Sequence, residues 1–392
     1  MYNNIYRMFF RVLYELESTV SLFDAAENIS IGQSVGNPKV RNGWETPELW
    51  DRAGCRIEGD VEAMKLVKSG DVWIQYPLAN IDLATDGVSQ LLCHIMGGQL
   101  DINSIRRCVV KDIDMPEEVV SKYFLGPKYG IPKIREFVKS FDKPLLGGIV
   151  KPKVGITTDV LLEIVKQMVE GGVNFIKEDE IMANPIHCPF EERVPVICDY
   201  LKDKNVVYCF CINADADIVL DRVKFVAAHG GNGVHVNFWS GIGIYKRIRD
   251  LDLPLYVHYQ KSGISILSDP RNPFHIEWTV FCKLAGWCGV DFIHAGMIGG
   301  YSENDREEMR QVLEILHKYH VMPALSCGMH PGLVDALRKS IGNDWMANCG
   351  GAIHGHPDGT FAGARAMRQA IDGTHGEEYE AAIKKWGYVE TI

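Results

Sequence analysis

The chain predicts a (β/α)8 barrel preceded by an α+β domain, and three observations carry that expectation. From Leu145 onward, short apolar runs alternate with amphipathic segments of helical period, which is the pattern of parallel strands joined by crossover helices. Eight such runs fit into roughly 250 residues, the span that a closed barrel of this type requires. Most of the runs end in a charged or polar residue or in glycine, and the segment before Leu145 lacks the alternation altogether.

In chain order, Ile5–Leu16 reads as a strand, Ser21–Glu27 as a helix, and Asp71–Pro77 and Arg107–Asp112 as further strands. They are assigned to an α+β domain over residues 1–130. The stretch Gly126–Lys133, GPKYGIPK, reads as a linker because its two prolines and two glycines interrupt regular structure. The barrel is expected over residues 131–392. Its strands are predicted at Leu145–Lys151, Phe175–Glu180, Val206–Asn213, Gly233–Phe238, Pro254–Tyr259, Asp291–Met297, Ala324–Met329 and Met346–Ile353. Between them Asp159–Glu170, Asp217–Ala228, Pro273–Ala285, Asp305–His320 and Thr360–Ile371 place apolar residues on one helical face.

Composition narrows the class of function. The 392 residues are 46% hydrophobic and 23% charged, with a net charge of -10. No Lys/Arg block interrupts the acidic balance, so neither nucleic acid nor a membrane surface finds an electrostatic footprint. Any phosphate must be met by donors gathered in a pocket. Of the eleven cysteines, the close pair Cys209 and Cys211 suits neither zinc nor thioredoxin spacing, and reduced, buried thiols are expected. Met1–Glu15 has no signal-peptide core, and no apolar stretch reaches the ~18 residues of a membrane span. A soluble, cytoplasmic protein is the expectation.

Active sites of such barrels lie at the carboxyl ends of the strands. Those ends carry Lys151 and Lys153 on the first strand, Lys177, Asp179 and Glu180 on the second, His258 on the fifth, His294 on the sixth, Ser326 on the seventh, and Gly350 and Gly351 on the eighth. Strand alternation puts Lys177 and Asp179 on one face. Two carboxylates suit Mg²⁺, although a buried ion pair with Lys177 accounts for the same spacing. Lys151 and Lys153 read equally as acid/base groups, since neighbouring cations lower a lysine pKa, or as counterions. Gly328, Gly350 and Gly351 offer bare backbone amides where barrels build phosphate sites, or plain turns. Among the remaining histidines, His330, His354 and His356 cluster near that end, while His187, His317, His320 and His375 read as surface residues.

The stretches Gly147–Ile156, GGIVKPKVGI, and Gly171–Glu180, GGVNFIKEDE, resemble the Lys-Pro-Lys strand end and the metal motif of the RuBisCO large-chain family. Asp291–Gly300, DFIHAGMIGG, is similar to its histidine strand and loop six. Ala324–His330, ALSCGMH, resembles its Ser-Gly-Gly-x-His stretch, and Gly350–Pro357, GGAIHGHP, its phosphate-binding glycines. Fainter likeness runs through Gly32–Asn37 and Pro77–Gly98. The resemblance implies a Lys177 carbamylated by CO₂ that binds Mg²⁺ together with Asp179 and Glu180. It also implies Lys151 as enolisation base, Lys153, His258 and His294 as pocket groups, Ser326 as a substrate contact, and Gly328, Gly350 and Gly351 as a phosphate site. A homodimer is implied, with Asn37 and its neighbours reaching a partner's active site.

Departures from the family set the expected chemistry apart from carboxylation. Tyr259 stands where the carboxylase has a phosphate-gripping arginine, and Tyr301 follows Gly299 and Gly300 where loop six has its lysine. Gly32 and Gly98 occupy the places of a catalytic glutamate and asparagine. The pattern resembles a RuBisCO-like protein acting on a phosphorylated keto-sugar or keto-sugar acid, as a decarboxylase such as 3-oxo-isoapionate 4-phosphate decarboxylase, or as an isomerase. The stretch HYQKSG at His258–Gly263 is similar instead to the diketo-methylthiopentyl-phosphate enolase of methionine salvage. Ribulose-bisphosphate carboxylase and a non-catalytic binding or regulatory protein complete the alternatives.

Overall fold

The computed structural model describes residues 8–301 and 304–392 and divides into two units. The predicted strand at Ile5–Leu16 begins partly outside the described residues, and within them it runs Phe9–Ser18. Its burial alternates through Phe10, Val12, Tyr14 and Leu16, as one face of a half-buried strand should. It is the centre of a five-stranded sheet ordered Phe274–Ile276, Ile105–Asp114, Phe9–Ser18, Ser69–Pro77, Arg56–Glu58. All pairings are antiparallel except that of Phe274–Ile276 with Ile105–Asp114. Tyr14 is tied into this core by its hydroxyl, 2.7 Å from the Tyr76 hydroxyl and 2.8 Å from the Ile95 carbonyl.

The sheet corrects two readings of the sequence. Residues 263–284 belong with the amino-terminal unit rather than the barrel unit, and the helix expected from Pro273 starts only at Trp278, after the strand Phe274–Ile276. The linker expected at Gly126–Lys133 is half helix, because Gly130–Val138 is α-helical. Gly130 takes a positive φ of 61°, which glycine tolerates, and Pro132 falls in the first turn, where a missing N–H costs nothing.

The other unit, Leu125–Ser262 with Ala285–Ile392, holds the closed barrel of eight parallel strands. In chain order these are Leu145–Ile149, Phe175–Lys177, Val207–Cys211, Gly233–Asn237, Tyr256–Gln260, Phe292–Gly296, Met322–Leu325 and Met346–Cys349. Inward-facing Leu145, Phe175, Val207, Tyr256, Phe292, Met322 and Met346 fill the lower interior, as layered barrel cores do. The eighth strand stops four residues short of the predicted Ile353, and Gly351–His354 turns as a short helix. No described helix is long and apolar enough to cross a membrane.

Candidate active site

The second barrel strand shows how the sequence delivers a charged group to the barrel mouth. Gly171 ends the helix Thr158–Glu170, and a β-carbon on it would lie 2.4 Å from that of Ala364. Gly172 then takes a φ of 97°, and the chain enters the strand with Phe175 inward. Two residues on, Lys177 points the same way and is 1% exposed. Glu178 points oppositely and is fully buried against Arg193, whose Nε and Nη2 donate to its two oxygens at 2.7 and 2.9 Å. The Tyr208 hydroxyl and the Cys211 N–H also donate to it. Glu178 thus anchors the motif from behind.

Lys177 donates to the Glu178 carbonyl at 2.8 Å and lies 3.9 Å from Glu180. Burial lowers its pKa, against the opposing pull of Glu180 and Asp179. Asp179 is desolvated, which would raise its pKa, but the bond from Lys151 Nζ at 2.5 Å and the charges of Lys151, Lys177 and Lys153 bring it below the usual carboxylate range. Glu180 accepts from Gln260 Nε2 at 3.1 Å, which also donates to Ser262 Oγ at 2.7 Å. The Gln260 side-chain oxygen Oε1 lies 3.3 Å from His294 Nδ1, and His294 Nε2 shares a hydrogen bond with Ser326 Oγ. Burial, then the charges of Lys261 and Lys177, hold the His294 pKa well below 6.5.

These groups open on a cavity of about 480 Å³ whose wall includes Lys151, Lys153, Lys177, Asp179, Glu180, His294, Ser326, Gly328, Gly350 and Gly351. Gly350 leaves room for Lys151, whose Cε would lie 3.1 Å from an added β-carbon, whereas one on Gly351 would meet nothing within 4 Å. Gly328 has a φ of 110° and sits too close to the Tyr301 nitrogen for a side chain. His330 lines the same cavity. His354 and His356 instead bond to Ile149 and Glu378 carbonyls.

His258 is corrected. The fifth strand runs on to Gln260, so its mouth residue is Gln260, and His258 lies one inward position deeper, absent from the cavity wall. Its ring nitrogens, like those of the neighbouring His235, are buried without a hydrogen-bond partner among the described residues. Tyr259 faces the other way and stacks on Tyr245 at 4.6 Å, so its identity does not shape the cavity. Gln260, Ser262 and Asn348 line it and were not assigned to the site from sequence, although the first two fall in the HYQKSG stretch. An amide at a strand end carries little signal until the strand register is known.

Among the described residues no three His, Cys, Asp or Glu side chains are grouped to hold a metal. Asp179 and Glu180 supply two carboxylates at the mouth, with the Lys177 amine 3.9 Å from Glu180. Gly32 and Gly98 lie in the amino-terminal unit, where a β-carbon on Gly32 would strike the Gln99 side chain.

Residues 130–321 and 314–386 match the family model for the ribulose bisphosphate carboxylase large chain, catalytic domain. A ribulose bisphosphate carboxylase of Pyrococcus furiosus is 31% identical over 401 residues, spanning 95% of this chain and 92% of that protein. A ribulose bisphosphate carboxylase-like protein of Archaeoglobus fulgidus is 29% identical over 378 residues, spanning 89% and 83%. The octameric RuBisCO of Pyrococcus horikoshii, solved with sulfate, superposes with a TM-score of 0.85 at 28% identity, covering 97% of this chain and 93% of that one. With the barrel, the strand-end lysines and carboxylates, and these matches in agreement, the chain belongs to the RuBisCO large-chain family.

Proposed function

We propose that the protein is a Mg²⁺-dependent RuBisCO-like enzyme, a lyase or isomerase, that generates an enediolate from a phosphorylated keto-sugar or keto-sugar acid. The observation that carries this reading is the placement of Lys177, buried beside Asp179, Glu180 and Lys151 at the floor of one cavity. A lysine whose pKa is lowered by burial has more neutral amine, the form that adds to CO₂ and releases a proton to become a carbamate. That carbamate, Asp179 and Glu180 would hold the ion, whose contribution is Lewis-acid stabilisation of developing negative charge.

The chain's own groups then divide the work. Lys151 moves a proton at the substrate carbon, and Lys153 adds positive charge beside it. His294 and Ser326, bonded to each other, orient a hydroxyl. The amides of Gly328, Gly350 and Gly351 receive one phosphate. Decarboxylation of a β-keto acid and proton abstraction lead to the same enediolate, so this site serves either. The assembly proposed is a homodimer with the amino-terminal unit of one subunit at the other's site, and the octamer formed by the Pyrococcus horikoshii relative supports self-association.

The test is Lys177→Ala across a panel of ketose and keto-acid monophosphates, with Mg²⁺ and bicarbonate. Loss of CO₂-dependent Mg²⁺ binding and of turnover is expected, and unchanged binding and turnover would refute the mechanism. Ribulose-bisphosphate carboxylase is a second reading, favoured by the names of the relatives. Tyr301 weighs against it. Labelled CO₂ and ribulose 1,5-bisphosphate yielding labelled phosphoglycerate would establish it instead.

A further inference from the structure

Three adjacent barrel strands, the fifth, sixth and seventh, carry near their carboxyl ends a line of side chains that leads away from Glu180. Gln260, His294 and Ser326 are all buried, and all line the cavity. The donors and acceptors along this line leave one arrangement of protons.

Gln260 comes first. Its Nε2 lies 3.1 Å from Glu180 Oε2 and 2.7 Å from Ser262 Oγ. An ionised carboxylate only accepts, so the amide turns its nitrogen, not its oxygen, toward Glu180, and both of its hydrogens are spent there and on Ser262. Oε1 is left facing His294 Nδ1 at 3.3 Å. That oxygen cannot donate, so Nδ1 carries the hydrogen. Burial, with the charges of Lys261 and Lys177, keeps the ring neutral at neutral pH, and a neutral imidazole protonated on one nitrogen is bare on the other. Nε2 therefore accepts, and the Ser326 hydroxyl donates to it. The Cys327 thiol, 4.0 Å from both Nε2 and Ser326 Oγ, is a weak donor at the limit of its reach and does not displace that hydroxyl.

We infer that Gln260 is a positioning residue that fixes His294 as the Nδ1–H tautomer, commits the Ser326 proton to His294, and so presents Ser326 Oγ to the substrate as an acceptor alone. The substrate class follows from that polarity. A phosphate ester with a free hydroxyl on its carbon chain donates to Ser326. A chain that brings a carbonyl oxygen there sets lone pair against lone pair in a buried place, and neither group finds a proton. The inference rests on the sugar-phosphate reading above and sharpens it, since keto-sugars and keto-sugar acids bring such hydroxyls and a diketo phosphate without hydroxyls does not.

The first measurement uses the intact protein without metal or ligand. With ¹⁵N-labelled histidine, two-bond proton–nitrogen correlation near neutral pH reads the tautomer of each ring, and His294→Asn identifies the His294 signals by their loss. Wild type is expected to show a protonated Nδ1 and a bare Nε2. Ser326→Ala should keep that form, because Gln260 sets it, whereas Gln260→Met should move His294 toward Nε2–H. Calorimetry in Mg²⁺ and bicarbonate then compares ribulose 5-phosphate with 2,3-diketopentyl 1-phosphate. Wild type is expected to bind the ketose phosphate at least about tenfold more tightly, and Ser326→Ala and Gln260→Met should each narrow that ratio. A wild-type ring that is doubly protonated or Nε2–H, a tautomer that Gln260→Met leaves in place, or equal binding of the two phosphates or of neither overturns the inference. Failure of CO₂-dependent Mg²⁺ binding, with the Nδ1–H form and the binding ratio intact, would defeat the metal mechanism and leave this inference standing.

Discussion

Arg193 and Glu178 show at the scale of single residues why the Lys177–Glu180 cluster contains a carboxylate that never meets the cavity. Both side chains are fully buried, and burial would depress the Arg193 pKa, but Glu178 outweighs it and raises it. Replacing one partner of such a pair strands the other charge. Arg193→Met is therefore expected to destabilise the protein by about 3–5 kcal/mol in chemical denaturation, whereas a loss below about 1 kcal/mol would mean that Tyr208 and Cys211 alone satisfy Glu178. The inward set Lys151, Lys177 and Asp179 was legible in the sequence because a charge closing an apolar run is too costly to bury in a barrel core and so marks the polar mouth. Glu178 and Arg193 were not, since their pairing joins a strand to a helix 15 residues away. His258 misled for a different reason: a strand of period two looks the same one layer lower, and only its true end at Gln260 fixes which inward residue reaches the mouth.

At the scale of elements, the base of loop six is fixed by the helix that follows it. Asn304 joins Met297 through its backbone N–H at 2.9 Å and its side-chain oxygen at 3.1 Å. Gly296, with a φ of 142°, leaves space for that oxygen. Asp305 caps the helix Arg306–Lys318 by accepting the N–H groups of Glu307 and Glu308 at 2.9 and 3.0 Å. Asp305→Ala should cost about 1 kcal/mol and should speed hydrogen exchange in the first turn of this helix more than in the barrel strands. Uniform protection in both proteins would show that packing, not the cap, holds the turn. Long, strongly periodic helices such as this one were read from sequence to within a residue or two. Phe274–Ile276 was not, because three residues display no period and the strand exists only through its pairing with Ile105–Asp114, far away in the chain. Gly130–Val138 was hidden behind glycine and proline signals that also open helices.

The barrel as a whole gathers the charged cavity at one end and a different buried carboxylate at the other. Asp291 precedes the sixth strand and accepts backbone N–H groups from Tyr129 and Gly130 on one oxygen and from Val257 on the other, at 2.9–3.0 Å. Burial dominates these bonds and pushes its pKa from 3.8 up to about 6. An acid whose pKa is raised by folding keeps its proton where the unfolded chain has already released it. Between about pH 4 and pH 6 the native state therefore binds more protons, and the group's contribution to stability falls as pH rises through that window. A shift of roughly two units corresponds to about 3 kcal/mol. Asp291→Asn removes the titration but turns an amide N–H₂ toward the Val257 N–H, at a cost of about 1–3 kcal/mol. The variant should thus be clearly less stable than wild type near pH 4.5, and the gap should close or reverse by pH 7 in urea denaturation. Parallel stability profiles for the two proteins would show that Asp291 stays ionised throughout, with its three N–H donors outweighing the loss of solvent.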